Sequence, residues 1–148
     1  MLWFFMKRTV FTEYFKDSSK ADILLQYLTR LELNSGIKII EQNTKADDLF
    51  FIESGRLSTY LEQEGHYPIR LETMVADTII GEIGFYLGEL RTATVIADEP
   101  SIVYRLTNDA LVNMEKEQPI VALALHRLII EKTAQRVNHV FKNAKHSI

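Results

Sequence analysis

The chain has 148 residues, a formal net charge of −3, 47% hydrophobic and 25% charged residues, and no cysteine. This length and composition are typical of one globular domain with a sizeable core, and we assign residues 1–148 to a single domain. The acidic balance gives no bulk attraction to nucleic acid or to an anionic membrane surface. The lack of cysteine excludes disulfides, thiolate nucleophiles and cysteine-ligated zinc. It fits the reducing cytoplasm, where we expect the protein to be located.

Residues 1–17 are assigned to an N-terminal extension. Residues 2–6 are apolar, but a run of five is too short for a membrane span or for the apolar region of a signal peptide. The run indicates a segment that packs on the domain, or the edge of a longer polypeptide.

A helix is predicted over residues 18–34. Apolar residues recur near helical spacing from residue 21 to residue 33. Ser18 or Ser19 is the expected N-cap, and Gly36 is suited to a left-handed exit from the helix.

Residues 37–106 are predicted to form a β-roll. Short runs rich in β-branched and aromatic residues alternate there with turn residues, which is typical of strands. About seven or eight such strands indicate an antiparallel barrel or jelly roll. The predicted strands are residues 37–41, 48–53, 56–62, 69–75, 78–80, 92–97 and 102–106.

Residues 107–142 are predicted to return to helix. Thr107 caps a short helix that runs through Glu115, and Pro119 opens a long helix that reaches roughly Phe141. Apolar residues cover more of the long helix than one stripe, which indicates contact with two surfaces. The second surface is either a lid position over the roll or a second subunit, although plain core packing also explains much of the pattern.

Residues 81–95 carry the strongest chemical signal. Glu82 and Arg91 lie nine residues apart in a segment rich in small residues, between two predicted strands. An ionised Glu82 only accepts hydrogen bonds, so its natural partner is a hydroxyl donor such as a ribose. The guanidinium of Arg91 can hold a phosphate through two parallel charged hydrogen bonds. For an isolated pair, however, a simple salt bridge between the two side chains is the commoner explanation.

Neighbouring residues favour a ligand site over a salt bridge. Gly84 and Gly88 let the backbone approach a ligand closely and let a short helical turn begin around residues 83–87. Unpaired amides at the start of such a turn favour an anion. Thr92 adds a hydroxyl and an amide beside the arginine. The segment therefore indicates a protein that holds a small anion without transforming it.

This segment resembles the phosphate-binding cassette of cyclic-nucleotide-binding domains. That cassette commonly has Gly-Glu, a few small or apolar residues, then Arg, a small residue, Ala and Ser or Thr. The similarity continues through the turn and strands at residues 42–57, and it covers about residues 20–140. It implies a mainly β fold with flanking α-helices: an eight-stranded antiparallel β-roll, or jelly roll, with an N-terminal helix, a short phosphate-binding helix and two C-terminal helices.

The resemblance implies a role for each matching residue. Glu82 would accept from the ribose 2′-hydroxyl, and Arg91 would hold the cyclic phosphate. Arg91→Ala is therefore expected to weaken binding and to leave the fold intact. The backbone amides of Ile83, Gly84 and Thr92 would complete the phosphate cradle. The expected ligand-binding residues are Gly81, Glu82, Ile83, Gly84, Arg91, Thr92 and Ala93.

The ligand implied by the resemblance is cyclic AMP or cyclic GMP, and no cofactor or metal is expected. A hydroxyl at the position of Thr92 occurs in binders of both, and cyclic AMP is slightly favoured as the commoner ligand in sequences of bacterial type. The long C-terminal helix would form a lid over the base and pass the signal on. Candidates for a contact with the base are Arg127, Thr133, Gln135, Arg136 and Asn138.

Four positions depart from the family pattern. Asn43 and Asp77 stand where glycine is usual, and both residue types tolerate the left-handed region better than most. Ala46 replaces another common glycine. Leu90 replaces the usual proline before Arg91, and we expect it to hold the arginine less firmly. None of these changes removes a group that would contact the ligand.

Two other classes of protein fit the residues poorly. A metalloenzyme of the cupin kind needs two or three converging histidines, and only His66 falls among the predicted strands. A DNA-binding regulator of the catabolite-activator type adds a helix-turn-helix after the long helix, and this chain ends about seven residues after Phe141. We therefore predict no enzymatic activity and no DNA binding.

The remaining alternative is a ligand-free protein-interaction module with the same fold. Residues 81–88 and 119–126 resemble regulatory domains at the C-terminal end of bacterial sulfate-permease-like transporters. A membrane transporter, or another effector protein, is therefore one expected partner. The other expected partners are the cyclic nucleotide itself and a second copy of the chain, paired through the C-terminal helix.

Overall fold

The computed structural model describes residues 9–146, so the prediction for residues 2–6 lies outside the described residues. Within this range the helices are α1 (Val10–Tyr14), α2 (Ser18–Leu25), α3 (Glu82–Leu87), α4 (Asn108–Glu117) and α5 (Pro119–His146). The strands are β1 (Thr29–Leu33), β2 (Lys38–Ile40), β3 (Asp48–Ser54), β4 (Arg56–Leu61), β5 (Ile69–Val75), β6 (Ile79–Ile80), β7 (Thr94–Ala97) and β8 (Ser101–Thr107).

The strands form two four-stranded antiparallel sheets. One has the strand order β1-β8-β3-β6, and the other has the order β2-β7-β4-β5. The predicted fold class, an eight-stranded antiparallel β-roll with flanking helices, is confirmed. The inner core of the roll consists of Leu33, Ile40, Phe50, Ile52, Leu57, Met74, Ile80, Val95, Ala97 and Val103.

The helix predicted over residues 18–34 is wrong in its second half. α2 ends at Leu25, and β1 then pairs antiparallel with β8 along its whole length. Leu31 and Leu33 pack toward the inner core, while the charged residues at the alternate positions are exposed. Because this period of two is that of a strand, pairing with β8 satisfies both the backbone and the apolar side chains.

The predicted ends of that helix also differ from the structure. Asp17, rather than a serine, is the N-cap of α2, and its Oδ1 accepts from the backbone N–H of Ser19 at 2.9 Å. Gly36 has the expected positive φ, at 89°, but it lies in the turn between β1 and β2. There its N–H donates to the carbonyl oxygen of Ala97 at 2.7 Å.

The other predicted elements agree with the structure to about two residues at each end, apart from α5, which continues to His146. Thr107 is the N-cap of α4 as predicted, and its hydroxyl accepts from the N–H of Ala110 at 3.1 Å. α1 lies inside the segment assigned to an extension and was not predicted. Its Phe11 is fully buried, with its ring centroid 5.0 Å from that of Phe51 and 5.5 Å from that of Tyr104.

The buried apolar residues of α5 lie in its N-terminal half. Val121, Leu125 and Ile129 belong to an outer core that lies between the helices and the β1-β8-β3-β6 sheet. Farther along, Val140 and Phe141 are largely exposed. No helix within residues 9–146 is long and apolar enough to cross a membrane.

Candidate ligand-binding site

The segment that carries the predicted site is a short helix between two left-handed glycines. Gly81, at φ 79°, precedes α3, and Gly88, at φ 66°, ends it. The short helix predicted around residues 83–87 is therefore confirmed. A Cβ on Gly81 would lie 2.6 Å from Nη1 of Arg91, so the missing side chain leaves the room that the guanidinium occupies.

A cavity of about 160 Å³ lies beside α3 at the end of the roll. Inner-core side chains form its apolar wall, and the side chains of α5 and β5 reach its mouth. All seven predicted site residues line it: Gly81, Glu82, Ile83, Gly84, Arg91, Thr92 and Ala93.

The backbone of Arg91 is held on both sides by a neighbouring turn. Its N–H donates to the carbonyl oxygen of Thr44 at 2.8 Å, and its carbonyl oxygen accepts from the N–H of Asn43 at 2.8 Å. Leu90 forms a β-bridge with Lys45. These contacts restrain the backbone around Arg91, and the weaker hold expected from Leu90 in place of proline stays a prediction.

The other departures from the family pattern are accommodated. Asn43 and Asp77 adopt the left-handed conformation predicted for them, with φ of 67° and 72°. Ala46 is buried beneath α3, and a Cβ on Gly84 would lie 3.0 Å from its methyl group. The small residue at Gly84 therefore lets α3 lie close to this turn.

The guanidinium of Arg91 is buried, with 5% of the side chain exposed. Nη1 donates to the carbonyl oxygen of Gly81 at 2.6 Å, and Nη2 donates to the carbonyl oxygen of Asp48 and, at 2.7 Å, to its Oδ1. These bonds use three of the five N–H donors of the guanidinium, and none of the others bonds within the described residues. Burial lowers the pKa of Arg91, and the charge of Asp48 opposes that shift.

Glu82, the first residue of α3, is the second buried charge, with 3% of the residue exposed. Its Oε1 accepts from Nη1 of Arg136 at 3.0 Å, whereas its Oε2 has no hydrogen-bond partner among residues 9–146. Burial raises the pKa of Glu82, and the charge of Arg136 opposes that shift. Glu82 and Arg91 therefore do not form the simple salt bridge, since each is paired with a different residue.

Arg136 connects α5 to the mouth of the cavity. Nη1 donates to the carbonyl oxygen of Ile79 at 3.0 Å as well as to Glu82, and Nη2 donates to Oε2 of Glu72 at 2.8 Å. One side chain of α5 thus contacts the start of β6, the start of α3 and the middle of β5.

Residues 30–118 match the family described as cyclic nucleotide-binding domain. The chain belongs to this family. A curated relative, "Cyclic GMP-binding protein C" of Dictyostelium discoideum, is 26% identical over 118 residues, which are 80% of this chain and 4% of that protein. This cyclic nucleotide-binding domain thus spans a small part of the relative's length.

Solved structures share this fold. A cyclic nucleotide-binding domain from Methylobacillus flagellatus KT superposes with a TM-score of 0.80 at 17% identity, over 89% of this chain and 74% of that one. A cAMP-binding acyltransferase from Mycobacterium smegmatis gives a TM-score of 0.69 at 28% identity, over 86% of this chain and 39% of that one.

In this cyclic nucleotide-binding domain, a cleft of about 710 Å³ between β5 and α5 adjoins the cavity. Glu72, Glu82, Ile83 and Arg136 line both. Three of the five predicted base-contact candidates line the cleft, namely Thr133, Gln135 and Arg136. The other two do not: Asn138 lines an apolar groove between α3 and α5, and Arg127 is exposed.

The sequence prediction missed two acidic residues of the site, Asp48 and Glu72. Asp48 lies 43 residues before Arg91 along the chain, and Glu72 lies 64 residues before Arg136. No motif links such distant positions. The available hint was an acidic residue at the start of β3, directly after the turn that holds the cassette arginine.

The histidines of the described segment do not form a metal site. No group of three or more His, Asp or Glu residues within residues 9–146 is placed to hold a metal ion. His126 instead connects two helices, with Nδ1 2.9 Å from the hydroxyl of Tyr86 and Nε2 3.3 Å from Oε2 of Glu115. Burial raises the pKa of Tyr86 to about 12, so its hydroxyl stays protonated at neutral pH.

Proposed function

We propose that this domain is a sensor of a cyclic mononucleotide, cyclic AMP or cyclic GMP, and has no catalytic activity. The supporting observation is that one cavity holds a buried arginine with unused N–H donors and a buried carboxylate oxygen without a partner among the described residues. The arginine suits a phosphate, and the carboxylate of Glu82 suits a hydroxyl. A nucleoside 3′,5′-cyclic phosphate carries both groups on one rigid ring system.

The sizes of the two spaces suit this ligand. The inner cavity, about 160 Å³, is smaller than an ordinary small-molecule site, which holds roughly 300–1,000 Å³. The cavity and the cleft of about 710 Å³ together fall within that range. We infer that the sugar and phosphate lie in the inner cavity beside Arg91 and Glu82, and that the base lies in the outer cleft against α5.

Ligand identity is supported only at the level of a cyclic mononucleotide. One relative is named for cyclic GMP, and one structural neighbour for cyclic AMP. Thr92 lines the cavity beside Arg91 and offers a hydroxyl that suits either base. Side-by-side titration therefore decides between them.

Signalling is proposed to run through α5. A ligand that contacts both the roll and α5 stabilises conformations in which the two lie close together. The free energy that couples ligand binding to such a conformational change is typically about 1–3 kcal/mol. The effector, whether a membrane transporter or another protein, and a location in the cytoplasm stay predictions.

The second candidate function is a ligand-free interaction module. It is favoured by the apolar side chains that α5 leaves exposed, which include Leu123, Ile130, Val140 and Phe141. The same surface could pair two copies of the chain, so it does not separate the two functions. Ligand binding, by contrast, distinguishes the sensor from the interaction module.

Isothermal titration of the full chain with cyclic AMP, cyclic GMP and cyclic di-GMP tests the proposal. We expect one mononucleotide to bind with one site per chain. A size-exclusion run with and without that ligand then reports whether α5 pairs two copies. The absence of heat with every ligand at high micromolar concentration would reject the sensor and favour the interaction module.

Glu82→Gln is expected to weaken ligand binding and to stabilise the ligand-free protein. The variant loses a charged hydrogen bond to the ribose, worth about 1.5–3 kcal/mol, so affinity falls by about tenfold or more. The folded state raises the pKa of Glu82, so the ionised carboxylate costs stability, and the neutral amide removes that cost. Calorimetric titration and thermal unfolding measure the two effects.

The stability difference between Glu82→Gln and the wild type has a predicted pH dependence. Below the ordinary pKa of a glutamate, about 4.3, both folded and unfolded Glu82 are protonated. As the pH rises through the raised pKa of the folded state, the wild type loses stability and the variant does not. The variant's advantage should therefore grow from pH 4 to pH 8. An advantage that shrinks over this range contradicts the buried, destabilised carboxylate.

A further inference from the structure

Arg136 of α5 donates a charged hydrogen bond to the carboxylate that is proposed to bind the sugar. Arg136 donates to Oε1 of Glu82 at 3.0 Å, and Oε2 is left without a partner within residues 9–146. A buried carboxylate oxygen without a donor is costly. A hydroxyl of the ligand would supply the missing donor without breaking the bond to Arg136.

We propose that Arg136 is a positioning residue for the ligand: it fixes Glu82 through one oxygen and leaves the other to accept the sugar hydroxyl. This inference rests on the proposed function. The bonds of Arg136 to Ile79 and Glu72 fix its own guanidinium, so that the carboxylate of Glu82 is held at a defined place. Arg136 also lines both the inner cavity and the outer cleft, where the sugar and base of the ligand would meet.

The charges around Glu82 show why a cation is needed at this place. Glu72 on β5 and the hydroxyl of Tyr86 on α3 face it, as do Arg136 on α5 and Arg91 beyond α3. Burial and the negative charge of Glu72 raise the pKa of Glu82, whereas its backbone N–H, the charge of Arg136 and the hydroxyl of Thr133 lower it. Without Arg136, two carboxylates lie near each other at the mouth of the cavity, and protonation of Glu82 relieves their repulsion.

The same contact explains how α5 senses the ligand. Arg136 belongs to α5, whereas Glu82 and Glu72 belong to the roll. A ligand that favours the ionised, oriented Glu82 therefore also favours the docked position of α5. Because such coupling is reciprocal, a substitution of Arg136 that loosens the docking of α5 must also weaken the binding of the ligand.

Arg136→Gln in the full chain tests the inference, with the cyclic mononucleotide that binds the wild type as the probe. We expect about tenfold weaker binding at pH 7, the usual effect of losing one charged interaction. We also expect the affinity of the variant to fall more steeply with decreasing pH than the flatter profile of the wild type, because loss of the Arg136 charge raises the pKa of Glu82 further. Arg136→Lys keeps the charge and should restore much of the flat pH profile.

Arg127→Gln is the matched control, since Arg127 lies on the same helix, is exposed and lines neither the cavity nor the cleft. It should bind as the wild type does at every pH. A carbon-13 titration of the Glu82 carboxyl group without ligand gives a second readout, and its midpoint should be higher in Arg136→Gln than in the wild type.

The outcomes separate the two proposals. If the wild type binds and Arg136→Gln has the same affinity, pH profile and carboxyl midpoint, the positioning role is wrong and the sensor function stands. If the wild type binds no cyclic nucleotide, the proposed function is wrong, and this inference is overturned with it. Tighter binding by Arg136→Gln also overturns it, because Arg136 would then compete with the ligand instead of preparing its site.

Discussion

Arg91→Ala is expected to weaken cyclic-nucleotide binding by more than 100-fold. The cavity offers the phosphate the N–H donors of Arg91 that are not used within the protein, and no other arginine or lysine lines its inner end in the described part of the chain. Two charged hydrogen bonds at about 1.5–3 kcal/mol each give a loss of this size, since 1.4 kcal/mol corresponds to tenfold. Isothermal titration of the two proteins measures the change.

The same substitution is expected to destabilise the fold, contrary to the expectation from sequence alone. Arg91 donates to the carbonyl oxygens of Gly81 and Asp48 and to the side chain of Asp48, and all of these lose their donor in the variant. Leaving buried acceptors unsatisfied costs about 1–3 kcal/mol. Because Arg105 also contacts Asp48, at 2.7 Å, that carboxylate keeps one partner and the domain should still fold. Urea denaturation measures the loss.

Two further variants separate binding from stability. Arg91→Lys keeps the charge but loses the forked geometry, so we expect weaker binding with a smaller loss of stability. Arg105→Gln removes the second partner of Asp48 outside the cavity, so it should lower stability slightly and leave affinity unchanged. If Arg91→Lys and Arg91→Ala both bind as the wild type does, Arg91 is a structural residue only.

The part of the fold that the sequence predicts is the part with local signals. Most strands are short apolar or β-branched runs between turn residues, and two local signals mark the start of the C-terminal helices: Thr107 is the N-cap of α4, and Pro119 is the first residue of α5. In β1, Leu31 and Leu33 alternate with charged residues, but they also continue the spacing of the apolar residues in α2, so the local signal is ambiguous. Pairing with β8, about seventy residues away, decides between helix and strand there.

The same distinction between local and distant signals applies to the residues of the site. Its seven predicted residues lie in two short stretches, 81–84 and 91–93, so one local motif is enough to find them. Their partners Asp48, Glu72 and Arg136 come from distant strands and from α5. Arg136 was one of five polar candidates on a helix with polar residues on several faces. Only the three-dimensional position of α5 shows which of them reaches Glu82.

Gly81→Ala is expected to disturb both the fold and the ligand site. Gly81 has φ 79°, which costs an alanine about 1–2 kcal/mol. Its added Cβ would also lie 2.6 Å from Nη1 of Arg91 and 2.9 Å from Cδ1 of Ile40, and such overpacking typically costs about 1–3 kcal/mol. The guanidinium cannot withdraw without breaking its bonds to Gly81 and Asp48. We therefore expect a loss of roughly 2–5 kcal/mol in stability, measured by urea denaturation, and at least tenfold weaker binding.

Gly88→Ala is the control that isolates the contact with Arg91. Gly88 also has a positive φ, 66°, but a Cβ there would meet nothing within 4 Å. It should show the conformational cost alone, with affinity close to that of the wild type. The difference between the two variants then measures what the space beside Gly81 contributes to the position of the arginine. If Gly81→Ala loses no more affinity than Gly88→Ala, the position of the guanidinium seen here is not the one that binds phosphate.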